Sequence, residues 1–409
     1  MITGGSPSLS VGILLCQRSV EIGGTRGFRV VDMATSVSLA SKWSHERLTI
    51  EAWMAGLRCC GRDNIRKLSI RPATGGFVLV NGKPYRGSLE IHHNGRGALN
   101  VVNLVDVESY LKGVVKAEMS ASAPMEALKA QAIAARTFAI KNRDTFKARG
   151  YGLKANEQSQ VYGGVAMEDP RTTKAVSDTR GIVVTYEGEL AEALFHAACG
   201  GVTENNEDVW DSQPVPYERA VPCAGCQKEP TPPWKAEFPY GTIAKRLRQY
   251  QWNVGDIYQI IPTYTRTGRV KDVIVQSTTG ATRIPGNNFR IIIDRHAIRS
   301  LRWMKGGSGA SGEPTSGWDE NQFDLGHRVE PTVATDDPPE PTGDVAIRSI
   351  IGRYVASSPT GRVFSLAGRG WGHGVGLCQW GAKVLASTGR THQEILRYYY
   401  RGVGLARAY

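Results

Sequence analysis

Some residues in this chain have the types and spacing that chemistry requires. The first is a carboxylate, Glu118, which ends an amphipathic segment just before a longer alanine-rich helix. An apolar helix on one side and a small-residue helix on the other desolvate a carboxyl, raise its pKa and suit it to general-acid work at neutral pH. Spacing alone describes a solvated glutamate at a helix end equally well. Its rivals Asp106, Glu108 and Glu126 each have a helix-capping or surface explanation. The second group is a glycine-alternating run, Gly368, Gly370, Gly372, Gly374 and Gly376, with Trp371, His373, Gln379 and Trp380. Such a run lets a ligand or another backbone approach closely, so it reads as a binding wall presenting His373, or as a tight buried loop around a satisfied histidine. The third is His196-x-x-Cys199 followed by Cys223-x-x-Cys226. These paired spacings match tetrahedral zinc, with His196, Cys199, Cys223 and Cys226 saturating a structural site. A disulfide or free thiols are the competing readings.

The elements that must position these groups follow from periodicity. Asp106 can cap a helix carrying Val107, Tyr110, Leu111, Val114 and Val115 at helical spacing. Pro124 and Glu126 mark the start of the alanine-rich helix, which runs to about Arg143. Residues 9–101 read as short strands and turns, with Asn81-Gly82 and Asn94-Gly95 as hairpin signals. Further on, 169–180 reads as a short helix, 182–186 and 190–196 as a hairpin, 242–251 as a helix, and 270–276 and 290–294 as strands. Residues 382–387 and 391–399 read as helices. The segment 305–343, rich in Gly, Ser, Pro, Thr, Asp and Glu, reads as a flexible linker or insertion. The expectation is an α+β protein, with β-rich segments around the central alanine-rich helix. Its regions are 1–101, β-rich; 102–304, catalytic; 305–343, the linker; and 344–409, which completes the cleft.

Composition is that of an ordinary globular chain of 409 residues, 41% hydrophobic and 22% charged. No apolar run is long enough to span a bilayer, and the patch 11–16 is too short for a signal-peptide core and lacks a basic leader. An export signal is therefore absent or trimmed. The net charge of +12 favours an anionic partner. The basic residues are scattered, with no basic block interleaved with aromatics, which argues against nucleic acid. No serine or cysteine nucleophile has a convincing partner, and no phosphate-binding loop or internal repeat is present. Seven cysteines, an odd number, leave at least one outside any disulfide pairing.

Taken together, the motifs resemble a known family. E-S-Y-L-K-G-V-V-x-x-E-M from Glu108 to Met119, E-A-L-K-A-Q-A-x-A-A-R-T from Glu126 to Thr137, and Q-x-Y-G from Gln160 to Gly163 are similar to the SpoIID/LytB family. So are H-x-x-x-G-G-x-T-E from His196 to Glu204 and G-x-G-W-G-H-G-V-G-x-x-Q-W-G-A from Gly368 to Ala382. The resemblance implies a bacterial, extracytoplasmic cell-wall protein: a lytic transglycosylase that cuts the β-1,4 bond between N-acetylmuramic acid and N-acetylglucosamine in peptidoglycan, with Glu118 as catalytic acid. It makes Gln160, Tyr162, His373 and Gln379 cleft-lining residues, and Lys129 and Arg136 groups that orient substrate or hold the helix in place. The other family name, amidase enhancer, implies a non-catalytic wall-binding protein acting with a cell-wall amidase. A zinc-dependent amidase using the His/Cys cluster is a third reading. This chain departs from the family in carrying Cys378 where serine is usual.

Overall fold

The computed structural model describes residues 5–227, 233–304 and 362–409. The linker expected at 305–343 lies outside the described residues. The architecture is α+β, as expected. The chain forms two compact units: Met1–Ala193 with Gly389–Leu396 and Val403–Tyr409, and Leu194–Thr388 with Arg397–Gly402.

In the first unit, alternating apolar residues build two sheets. A seven-stranded sheet runs in the order Leu153–Lys154, Ser8–Gln17, Leu99–Asp106, Ser88–His93, Lys67–Pro72, Phe28–Asp32, Ser38–Lys42. Its long antiparallel pair, from Ser8 opposite Asp106 to Gln17 opposite Leu99, fixes where the chain leaves the sheet for the first helix. A six-stranded sheet holds the strands between, and its Asn81-Gly82 turn has both residues at positive φ, 47° and 79°. The helices α1 (Val107–Glu118), α2 (Met125–Lys141) and α3 (Pro170–Asp178) follow. Alanines occupy several faces of α2, and most of its seventeen residues are buried. Small side chains allow this, since neighbours can then approach from more than one side.

The second unit carries α4 (Asn206–Trp210), α5 (Ala224–Gln227), α6 (Tyr240–Gln249) and α7 (Gly286–Asp294). It also carries α8 (Gln379–Ser387), which α9 (His392–Tyr399) follows in the chain. Its apolar core gathers Phe238, Ile243, Leu247, Val273, Val275, Phe289, Ile293 and Trp303. Two sequence expectations are corrected. Residues 290–294 are helical rather than a strand: Phe289, Ile292 and Ile293 are buried at helical spacing, which outweighs the β-preference of the isoleucine run. The expected hairpin of 182–186 with 190–196 pairs only as far as Leu190. Ala193 then takes φ 51°, and Phe195–His196 pairs in parallel with Leu377–Cys378 instead. Among the described residues no helix is long and apolar enough to cross a membrane.

Candidate functional site

Glu118 is the last residue of α1, and the sequence explains why the helix begins and ends where it does. The Asp106 carboxylate accepts the N–H groups of Glu108 and Ser109, each at 3.1 Å, and Met119 leaves the helix in an extended conformation. The stripe Val107, Tyr110, Leu111, Val114, Val115 is buried, and Glu118 itself is half-buried. Its Oε1 accepts the backbone N–H of Val161 at 2.9 Å. That N–H belongs to the Q-x-Y-G segment, which lies along α1. Gly163 donates to the carbonyl of Gly113 at 3.4 Å, and a Cβ on Gly113 would stand 2.8 Å from both the Tyr162 ring and the Gly164 carbonyl. The glycine inside α1 is therefore a close-approach glycine.

Gln160 and Tyr162, expected to line a cleft, are both buried. The Gln160 Oε1 accepts from the Tyr110 hydroxyl and its Nε2 donates to the Ala135 carbonyl, both at 3.1 Å. Tyr162 donates to Asn103 Oδ1 at 2.9 Å. Arg136, expected to orient substrate or to hold the helix in place, has its guanidinium turned to the protein's own groups. Fully buried, it forms a bidentate pair with Glu108, both contacts 2.9 Å, and donates to the carbonyls of Val176 and Ile182. Burial alone would raise the Glu108 carboxyl, but Arg136, the Tyr409 hydroxyl and the Gly181 N–H outweigh it and hold it below the usual range. Lys129 bonds Glu126 at 3.0 Å. Glu126 also accepts from the His392 backbone N–H at 2.8 Å and contacts the His392 ring at 2.6 Å.

In the second unit the glycine run makes room for the protein's own groups. Gly370, Gly372, Gly374 and Gly376 all have positive φ. A Cβ on Gly372 would meet the His196 Cβ at 2.7 Å, and one on Gly374 the Arg269 guanidinium at 2.5 Å. The run is a tight loop in which His373 is satisfied. Its Nε2–H donates to the Phe195 carbonyl at 2.9 Å and its Nδ1 accepts the Val375 N–H at 3.1 Å, a tautomer assigned from these partners. Burial pushes its pKa down to about 3, so the ring is neutral near pH 7. Gln379 is buried. Trp371, by contrast, is 48% exposed, with the Arg299 guanidinium 4.9 Å from its ring centroid.

The thiol cluster forms with one change of membership. The sulfurs of Cys199, Cys223, Cys226 and Cys378 are all buried and lie within 4.8 Å of one another. Cys378 takes the place expected for His196. The His196 Nδ1–H is spent on the Val375 carbonyl at 3.0 Å, and its Nε2 has no hydrogen-bond partner among the described residues. Ligands at about 2.3 Å from a tetrahedral ion have sulfurs about 3.8 Å apart, which suits this spacing. The surroundings suit thiolates as well. Cys378 caps α8 and accepts N–H bonds from Cys199 at 3.3 Å and Gly381 at 3.4 Å, and the Tyr399 hydroxyl lies 3.2 Å from the Cys223 sulfur. A Cβ on Gly381 would run into that sulfur and that hydroxyl. The residues present therefore fit a metal ion. The cysteine at 378, where serine is usual, is the sequence signal that could have pointed to the fourth thiol.

Comparison with known proteins agrees with the motifs. A sequence model of the stage II sporulation protein family matches residues 95–186, which include α1, α2 and α3. An uncharacterised protein of Brachyspira hyodysenteriae is 29% identical over 81% of this chain and 74% of its own length. The Bacillus subtilis stage II sporulation protein D is 27% identical over 83% of this chain and 84% of its own. The Bacillus subtilis amidase enhancer is 28% identical over 83% of this chain, which spans only 46% of that protein. These matches bear out the resemblance to the SpoIID/LytB family.

Proposed function

We propose that the chain is a peptidoglycan lytic transglycosylase acting outside the cytoplasm, with Glu118 as its single general acid and base. The observation that carries this reading is the setting of Glu118: half-buried at the end of α1, with one oxygen anchored by the Val161 N–H. Protonated, Glu118 gives its proton to the glycosidic oxygen as the C1–O bond breaks through an oxocarbenium-like transition state. As carboxylate it then accepts the proton of the muramic acid 6-hydroxyl, whose oxygen closes the 1,6-anhydro ring on C1. The substrate supplies its own nucleophile, so a second catalytic carboxylate is unnecessary. For the four thiols we propose a structural zinc, because sulfur ligands favour it and a fully ligated ion has no open position for catalysis.

Mass spectrometry of digested glycan strands tests the reading. Fragments with 1,6-anhydro-muramic ends support it. Intact glycan with faster cleavage by an added cell-wall amidase supports the enhancer role that the Bacillus subtilis relative's name carries. Released stem peptides that disappear with chelator would support a zinc amidase.

A further inference from the structure

We infer that Tyr110 and Gln160 are positioning residues that hold the Val161 N–H on Glu118, an inference that rests on the proposed role of Glu118. The direction of the Val161 N–H is set by the peptide plane between Gln160 and Val161. That plane is fixed by the Gln160 side chain, whose two ends reach different helices: Oε1 accepts from Tyr110 on α1 and Nε2 donates to Ala135 on α2, both at 3.1 Å. Gln160 is 1% and Tyr110 0% exposed, so neither group has water to fall back on. Tyr110 is itself braced by the Tyr162 ring, with centroids 4.7 Å apart, and the Tyr162 hydroxyl is tied to Asn103. Asn103 in turn donates to the carbonyls of Arg86 at 2.8 Å and Ser88 at 3.0 Å.

Leucine and phenylalanine at these two positions would fill the same space without burying an amide and a hydroxyl. What the polar pair adds is direction, since a hydrogen-bonded amide has one orientation and a packed methyl group has several. One end of the chain of bonds is anchored in the seven-stranded sheet and the other lies one residue from the N–H that holds Glu118. An acid at a helix end needs such a brace, because misplacement of a reacting group by about 1 Å costs roughly a hundredfold in rate.

The test uses the full chain and the variants Tyr110→Phe and Gln160→Leu, each checked for folding by thermal melting. Two quantities are followed: kcat and KM on glycan strands, and the titration midpoint of the Glu118 carboxyl by carbon NMR, assigned by its loss in Glu118→Gln. The expected result is a kcat about 10- to 100-fold lower with KM little changed. The Glu118 midpoint should rise, because an N–H donor favours the charged carboxylate and its loss favours the acid. Folded variants with unchanged kcat and an unmoved midpoint would reduce the pair to core packing and overturn the inference. Should neither variant fold, the wild-type protein carries the test: the Val161 amide resonance must titrate together with Glu118, and an amide that ignores that titration overturns it. Wild-type activity in Glu118→Gln would instead sink the proposed reaction, while the midpoint would still report on positioning.

Discussion

Among the described residues Arg136 and Glu108 form the most deeply buried ion pair, with the arginine fully buried and its carboxylate partner nearly so. Removing one partner of such a pair leaves the other charge stranded, at a cost of about 3–5 kcal/mol. Arg136→Ala should lose about that much in urea denaturation. Arg136→Lys should recover only part of it, since an ammonium cannot reproduce the bidentate fork. A loss under 1 kcal/mol would mean the pair is not the clamp the geometry describes. The sequence marked Arg136 as important by its motif but could not choose between substrate and structure. That choice depends on Glu108, twenty-eight positions earlier, and on carbonyls from α3 and the strand beyond it. Glu118 was legible as a candidate. Its partner was not, because a backbone N–H has no signature in side-chain identity.

Elements were readable where local preference and packing agree. Capping by Asp106 and the apolar stripe gave the start of α1, which runs on to include Glu118, and α2 ends two residues before the expected Arg143. The failures lie where distant chain decides: 290–294 turned helical to bury Phe289 and Ile293, and Phe195–His196 found its strand partner some 180 residues away. The thiol cluster belongs to this scale too, since it ties the α5 turn to the N-terminus of α8. Metal analysis of the purified protein should find one zinc per chain. Cys378→Ser should weaken retention against a chelator at least tenfold, and His196→Ala should leave stoichiometry unchanged. The opposite pattern would restore the histidine as ligand. A second element-scale contact is testable by pH. Burial would raise the Glu126 carboxyl, but bonds from the His392 ring and N–H and from Lys129 bring it down to about 2. A depressed carboxyl stabilises the fold above its unfolded value near 4.5 and loses that contribution as pH falls toward 2. The melting-temperature gap between wild type and Glu126→Gln should therefore close between about pH 4.5 and 2. A gap that persists to pH 2 would contradict it.

For the molecule as a whole, the net charge of +12 favours an anionic partner. The α+β class was legible because strand and helix periodicities occupy separate stretches of the chain. The division into two units was harder to read, because each unit is assembled from separated segments: residues 389–396 and 403–409 join the first, and 397–402 the second. Such interleaving follows from long-range pairing, as between Ile182–Tyr186 and Gly404–Arg407, and leaves no local mark in composition.

We propose that one carboxylate, Glu118, cuts glycan by giving a proton to the glycosidic oxygen and then taking another from the muramic acid 6-hydroxyl. The measurement that tests it most directly is mass spectrometry of glycan strands digested by wild type and by Glu118→Gln, with folding of both verified. Wild type should release fragments ending in 1,6-anhydro-muramic acid, and Glu118→Gln should lose that product by about 10²- to 10⁴-fold, the worth of a general acid. Reducing ends in place of anhydro ends, or anhydro product undiminished in Glu118→Gln, would contradict it.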